Sequence, residues 1–389
     1  MSNHDYTLVA KTFYGLEDVL AKELENLGAT NVRKANRAVY FNGDKYLMYL
    51  VNYHVRTAIS ILKPIDTFEC SDENDLYQQV RNRIDWQTLL TNKHTFSVEA
   101  TVHSSVFRHS QYATLRVKDA IVDYFREKTG KRPYIDTDNP DILIHLHISE
   151  RQCTLSLNSS GEPLFKRGYR IATSVAPLNE VLAAGMVLLS GWQPTQNLID
   201  PMCGSGTILI EAALIAHQLP PGIFRKKFGF ETWPDFDAQL FEKITKDEKD
   251  DVDASKFCSI IGMDIDESAL TKAKLNVKNA FLHPYIHLKV ADFFEYVPPF
   301  KEGVVITNPP YGKRIKKEDV DGFYKRLGDK LKKDYTGFDV WIISSNLQAM
   351  KHVGLHPAKK IKLYNGPDIC TFNCYEIYEG TKKQSKQYA

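Results

Sequence analysis

Four residues, Asn308-Pro309-Pro310-Tyr311, have the types and the order needed to hold a planar amine. They follow Val304-Val305-Ile306-Thr307, an apolar run that predicts a buried parallel strand. Each proline lacks an N–H and has a fixed φ, so the loop is stiff and poor in donors. It offers carbonyl oxygens and the Asn308 amide to whatever enters the crevice. The Asn308 side-chain oxygen and the Pro309 carbonyl can accept the two hydrogens of a weakly nucleophilic NH2. The nitrogen lone pair is then free to point at an electrophile, and Tyr311 can stack on the attached ring.

A second candidate site lies upstream. Asn197-Leu198-Ile199-Asp200-Pro201-Met202-Cys203-Gly204-Ser205-Gly206-Thr207 runs from a short strand through a glycine turn into an apolar helix from Ile208 to Ala216. The glycines permit tight backbone angles and close approach of a ligand. The spacing lacks the third glycine of a dinucleotide site, and no Gly-Lys-Ser/Thr follows, so it is not a phosphate-binding P-loop. Ser259-Ile260-Ile261-Gly262-Met263-Asp264-Ile265-Asp266 predicts a strand that ends in acid. A carboxylate there can bind both ribose hydroxyls of a nucleoside, with Asp264 the first candidate and Asp266 the second. The helix from Glu267 to Ala280 follows, and Ala269, Leu270, Ala273 and Val277 have helical spacing. The strand Ile286 to Val290 then leads to Ala291-Asp292-Phe293-Phe294.

These sites need elements to position them. Strand, glycine turn, helix, strand, acid and helix recur before the Asn308 strand, which implies an α/β fold with a mostly parallel sheet. All the candidates fall at carboxyl ends of strands, where such sheets bind ligands. Asp339 to Ser345 predicts a fifth strand. Lys360 to Tyr364 and Cys370 to Tyr378 predict a closing antiparallel hairpin across Asn365-Gly366-Pro367. The glycine turn resembles motif I of class I S-adenosylmethionine methyltransferases, and Asn308 to Tyr311 resembles motif IV of the amino-methyltransferases. Ala176-Pro177-Leu178-Asn179-Glu180, opening a helix through Leu189, resembles the cofactor-proximal motif of that group. The resemblance implies a cofactor set of Asp200, Pro201, Cys203, Gly204, Ser205, Gly206, Thr207, Asp264, Ile265, Asp292, Phe293 and Asn308. Within it, Asp292 holds the adenine amine and Phe293 lies beside it. Asn308, Pro309, Pro310 and Tyr311 form the catalytic loop.

The first half shows no cofactor motif. Strands Tyr6 to Ala10 and Ala38 to Asn42 alternate with helices Glu17 to Leu27 and Lys45 to Asn52. Next come helix Glu73 to Asn82, strand Thr95 to Val102, helix Gln111 to Thr129, and strands Asp141 to Ile148 and Gln152 to Asn158. The opening around Phe13-Tyr14-Gly15-Leu16-Glu17 and the Asn139-Pro140-Asp141 step before a strand resemble a ferredoxin-like unit followed by a THUMP domain. The expected domains are a ferredoxin-like unit at 1–60, a THUMP-like RNA-binding domain at 61–158, a connector at 159–175 and a Rossmann-like methyltransferase domain at 176–389. Gly161-Glu162-Pro163-Leu164-Phe165-Lys166-Arg167-Gly168-Tyr169-Arg170 resembles the basic connector of these enzymes. The whole pattern resembles the bacterial THUMP-containing methyltransferases that form N2-methylguanine in large-subunit ribosomal RNA. The resemblance implies S-adenosylmethionine as cofactor and RNA as partner. Two-activity members carry a further carboxyl-terminal domain, and a sequence ending at Ala389 is expected to lack that second activity. The alternatives are N6-adenine methylation of DNA or RNA, protein glutamine methylation, and a catalytically inactive RNA-binding module. Guanine and adenine both present an NH2 on a flat ring, so the residues leave that choice open.

The bulk numbers set limits. Hydrophobic content of 43% and charged content of 25% are those of an ordinary globular protein. No uncharged stretch reaches membrane-spanning length, and Met1-Ser2-Asn3-His4-Asp5 does not begin a signal peptide. The six cysteines form no Cys-x-x-Cys pair, which predicts a reduced, cytoplasmic protein without a structural metal. A net charge of +2 does not declare a nucleic-acid binder, so RNA contacts must use local patches. Arg225-Lys226-Lys227 and the stretch from Lys313 to Lys333 are the clearest basic segments. Lys313 and Arg314 beside the amine loop, and Lys166 and Arg167 in the connector, are the candidate RNA contacts.

Overall fold

The computed structural model describes residues 5–173, 177–246, 257–310 and 320–379. Among them the chain forms two units, each built on one sheet. The first takes Met1–Thr12, Ala21–Leu164 and Arg225–Glu248, and the second takes Phe13–Leu20, Phe165–Phe224 and Lys249–Ala389.

The chain opens with β1 (Tyr6–Lys11), α1 (Glu17–Asn26), β2 (Thr30–Ala35), β3 (Ala38–Gly43), α2 (Lys45–His54) and β4 (Ser60–Glu69). It continues with α3 (Glu73–Arg83), β5 (Thr95–His103), α4 (Ser110–Thr129), β6 (Tyr134–Ile135), β7 (Ile142–Ser149) and β8 (Gln152–Asn158). The eight strands are ordered β2-β3-β1-β4-β8-β7-β5-β6. Ile142, Ile144, Leu146 and Ile148 of β7 are fully buried on one face, the period-two pattern of a half-covered strand. α4 supplies Ala113, Val117, Ala120, Ile121 and Phe125 at helical spacing to the same core.

Two strands depart from the sequence expectation. β2 lies at the sheet edge with almost no buried side chain, so no apolar alternation marks it. β4 carries Pro64, which cannot donate to a ladder, and Lys63 and Asp66 interrupt its apolar run. The structure accommodates the proline with a register shift between Pro64 and Asp66 against β8. β4 pairs with β1 on one side and β8 on the other, so one sheet runs through the ferredoxin-like and THUMP-like stretches. The boundary expected at residue 60 falls at the start of this shared strand.

A second departure concerns residues 225–246, expected inside the methyltransferase domain. They pack on the first unit. Phe230 stacks on Tyr49 of α2 at 4.2 Å, and Phe241 of α7 (Ala238–Lys246) meets Phe230 edge-on at 5.1 Å. Arg225 donates to the carbonyls of Ser160, Glu162 and Pro163 at 3.2, 2.9 and 3.0 Å. Its guanidinium therefore holds backbone, which removes one cation from the basic segment read in the sequence.

The second unit contains α5 (Glu180–Ser190), β9 (Leu198–Asp200), α6 (Thr207–Ala216), β10 (Ile260–Asp264), α8 (Glu267–Asn279) and β11 (Ile286–Val290). It ends with β12 (Gly303–Thr307), α9 (Val320–Asp334), β13 (Phe338–Ser344), β14 (Lys359–Asn365) and β15 (Asp368–Glu376). The sheet order is β11-β10-β9-β12-β13-β15-β14. Strands β9 to β13 are parallel, and the β14–β15 hairpin closes the edge antiparallel to β13. The chain leaves β9 toward β10 on one side and returns to β12 on the other. That reversal creates a crevice at the carboxyl ends of β9 and β12, the place where doubly wound sheets bind ligands. Among the described residues no helix is long and apolar enough to cross a membrane, and no group of three or more His, Cys, Asp or Glu is placed to hold a metal.

Candidate active site

β9 ends at Asp200, and the chain turns through Gly204 and Gly206 into α6. The Gly206 N–H donates to the Cys203 carbonyl at 2.8 Å and closes the turn. Gly204 and Gly206 adopt φ of 54° and 82°, a region that costs most side chains strain. Their surroundings differ. A Cβ on Gly204 would meet nothing within 4 Å, so that face of the turn is open to a ligand. A Cβ on Gly206 would stand 3.3 Å from the Ala273 Cβ, so this glycine lets α8 pack closely.

Asp264, at the end of β10, locks this turn. Its Oδ2 accepts from the Gly204 N–H and its Oδ1 from the Asp266 N–H, both at 2.9 Å. Each oxygen keeps a further lone pair for a ligand. Asp266, the second ribose candidate, instead caps α8 by accepting from the Ser268 N–H at 2.9 Å. Ile265 between them is 70% exposed. Asp292 follows β11 and accepts from the Phe294 N–H at 2.9 Å. Phe293, expected beside Asp292, follows it directly in the chain. The Phe293 ring is buried in a core cluster with Tyr335 at 5.6 Å, where its apolar surface is removed from water.

Asp200 is buried, and burial pushes its carboxyl up to about 7, with the Asp264 charge adding to the rise and the Met202 N–H opposing it. Burial also drives the Cys203 thiol well above its ordinary value, reinforced by Asp200 and Asp264. A thiol kept protonated is a poor nucleophile. Asp200, Cys203, Gly204, Ser205, Thr207 and Asn308 line one cavity, together with Pro177 and Leu178 ahead of α5. The glycine turn and the amine loop, far apart in sequence, thus share a crevice. The Asn308 side-chain oxygen is buried and has no hydrogen-bond partner among the described residues. Pro309 is buried and Pro310 half-buried beside it, while Pro201 is buried in the turn. Tyr311, Lys313 and Arg314 lie outside the described residues.

The connector cations behave differently from each other. Lys166 is exposed. Arg167, expected to touch RNA, is 2% exposed, and its Nε lies 3.4 Å from Oε1 of the fully buried Glu211 in α6. The Tyr169 hydroxyl donates to the same oxygen at 2.9 Å. Arg167 is therefore a structural cation: a carboxylate inside an apolar helix needs a partner, and the connector supplies it.

Residues 167–373 match the family described as RMKL-like, methyltransferase domain. The chain belongs to the RMKL-like methyltransferase family. Residues 70–158 match the THUMP domain, and residues 7–62 match the RlmL ferredoxin-like domain. The RMKL-like methyltransferase is 38% identical over 365 residues to a Synechocystis sp. protein named "Putative RNA methyltransferase slr0064", covering 94% of this chain and 95% of that one. It is 38% identical over 369 residues to the Shewanella amazonensis "Ribosomal RNA large subunit methyltransferase K/L", covering 94% of this chain and 52% of that protein. It spans about half the length of the K/L relatives it matches. The crystal structure of SMU.472 complexed with SAH superposes with a TM-score of 0.85 at 28% identity, covering 98% of this chain and 100% of that chain.

Sequence reasoning missed two residues beside the site of this methyltransferase. Asn276 is fully buried in α8, and Arg170 in the connector donates to the Thr207 hydroxyl at 3.0 Å. The signal for Asn276 was a polar residue on the apolar stripe of Ala269, Ala273 and Val277.

Proposed function

We propose that this methyltransferase methylates an exocyclic base amine in RNA, with guanine N2 of large-subunit ribosomal RNA as its target and S-adenosylmethionine as donor. The coarser statement, an S-adenosylmethionine-dependent RNA methyltransferase, goes with its family and its THUMP domain. The ribosomal target is supported by the name of the K/L relatives.

The residues fit such a donor. The open face of Gly204 admits a ligand to the backbone, the free lone pairs of Asp264 suit ribose hydroxyls, and the exposed Ile265 offers apolar surface to a base. Asp292, after the neighbouring strand, would accept from an adenine amine. S-adenosylmethionine supplies a methyl group made electrophilic by its positively charged sulfur.

The observation that carries the reading is the Asn308 oxygen, buried without a hydrogen-bond partner among the described residues, in the cavity of the glycine turn. An unmet buried acceptor costs about 1–3 kcal/mol, which a ligand N–H arriving there would recover. Asn308 and the Pro309 carbonyl would take the two hydrogens of the NH2 and aim its lone pair into the crevice. They also stabilise positive charge that grows on the nitrogen during attack. Alignment is then the main catalytic contribution. The target base must be unstacked to reach the crevice. The methylated ammonium is acidic enough to lose its proton afterwards, so the site needs no strong base before attack. Mass spectrometry of modified nucleosides in ribosomal RNA, from cells with and without the gene, tests the target. Loss of N2-methylguanine is expected. Loss of N6-methyladenine instead, or no change, would refute the assignment.

A further inference from the structure

The connector does more than join two units in sequence. Between Gly168 and Ala172, inside the second unit, its backbone is tied to α8 by side chains, one of which also reaches a residue of the cavity. Asn276 uses its full hydrogen-bonding capacity. Its Oδ1 accepts from the N–H groups of Ile171 and Ala172, each at 3.0 Å. Its Nδ2 donates to the carbonyls of Ala172 at 2.9 Å and Ser205 at 3.1 Å. Ser205 lines the cavity. One turn further along α8, Asn279 donates to the Tyr169 carbonyl at 2.8 Å.

Arg170 forms the opposite tie. One of its nitrogens, Nη2, donates to the Leu178 carbonyl at 2.8 Å and the Thr207 hydroxyl at 3.0 Å. Its Nε faces Oε1 of Glu180, the first residue of α5, at 2.8 Å. Leu178 and Thr207 also line the cavity. Neither Asn276 nor Arg170 lines it. Together they hold three residues that do, from two sides, and both anchor on the same short piece of connector.

The residue types are those the geometry demands. Accepting twice and donating twice at one buried point requires a primary amide, since a carboxylate cannot donate and an apolar isostere can do neither. Facing a carboxylate, a carbonyl and a hydroxyl from one side chain suits the planar fork of arginine, and a lysine ammonium reaches fewer of them. A glycine turn that accommodates a ligand must be held against collapse, and its own strand and helix leave Ser205 and Thr207 at the junction.

We propose that Asn276 and Arg170 are positioning residues of the cofactor cavity, and that through them cofactor binding and order in the connector at Ile171 and Ala172 are linked. The inference rests on the reading of this cavity as the S-adenosylmethionine site. Linkage is reciprocal: if an ordered connector favours the cofactor, the cofactor favours an ordered connector. Cofactor occupancy is then felt in the segment that leads back to the THUMP-bearing unit.

The test measures S-adenosylhomocysteine binding by calorimetry, amide exchange at residues 168–172 and melting temperature, all on the full chain. Arg170→Lys keeps a charge for Glu180 while losing the fork. Asn276→Asp keeps the acceptor for Ile171 and Ala172 and loses the donor to Ser205. Wild type is expected to bind S-adenosylhomocysteine and to slow exchange at Ile171 and Ala172 on binding. Each variant should bind roughly ten- to a hundredfold more weakly, as expected when buried hydrogen bonds go unmade. Arg170→Lys should also lose the ligand-dependent slowing of exchange. If wild type does not bind the ligand, the reading of the cavity fails. If wild type binds and Arg170→Lys binds equally well with only a lower melting temperature, the ties are structural and this proposal is overturned. Failure of both variants to fold would overturn it likewise.

Discussion

Asn308→Ala should separate function from stability in opposite directions. In the resting protein the Asn308 oxygen is buried and unpartnered among the described residues. Removing it therefore breaks no hydrogen bond to the described residues and relieves a desolvation cost of about 1–3 kcal/mol. Some packing is lost, so the net expectation runs from no change to a gain of about 1–2 kcal/mol, or a rise of a few degrees in melting temperature for a unit of this size. Methyl transfer should behave otherwise. Losing one oriented polar contact in a transition state lowers turnover by roughly a hundredfold or more, about 2.7 kcal/mol. Cofactor affinity should change little, since the turn keeps Gly204 and its hydrogen bond to Asp264. The assay pairs thermal melting with single-turnover transfer of labelled methyl to ribosomal RNA. A variant that melts several degrees lower and turns over at the wild-type rate would show that Asn308 is a packing residue.

Gly204→Val places a β-branched side chain at φ 54° and projects it into open space above the turn, so calorimetry should find binding of S-adenosylhomocysteine abolished while the chain stays folded. Arg167→Ala leaves the Glu211 carboxylate buried without its cation, and chemical denaturation should show a loss of about 3–5 kcal/mol with RNA affinity of the folded protein unchanged. Phe230→Ala removes a fully buried ring stacked on Tyr49 and should cost about 3–5 kcal/mol in the first unit, read by near-ultraviolet circular dichroism. The Asp200 carboxyl, raised to about 7 when folded, binds its proton more tightly than in the unfolded chain. Its contribution to stability is then fully present below about 4, falls as pH rises to about 7, and is flat above. Asp200→Asn should remove that part of the pH slope in a series of melts.

What could be read in the sequence follows from where the physical signal is local. β9, β10, β12 and β13 are apolar runs inside the sheet, so each announces itself, and the acid or polar residue at its end stands out against it, while β11 at the edge buries only Ile286. The placement of Asp200, Gly204 and Asn308 around one crevice then follows from strand order alone, since parallel strands put their carboxyl ends on one side. Signals spread across the chain were not legible. β2 is an edge strand with little to bury, and β4 hides behind a proline that only a bulge against β8 makes tolerable. The aromatic stretch around Phe228, Phe230 and Phe241 reads as core, but nothing in it says whose core. Arg167 shows why charge in a connector is ambiguous: lysine and arginine runs look alike in sequence, and what separates a phosphate contact from a buried counter-ion is an acid far along the chain. Glu211 was visible as an isolated acid in an apolar helix, and such a residue predicts a cation arriving from elsewhere. Asn276 carries the same lesson for amides. A polar side chain on a buried stripe is a statement that backbone groups will be brought to it, and here those groups belong to the connector and to the glycine turn.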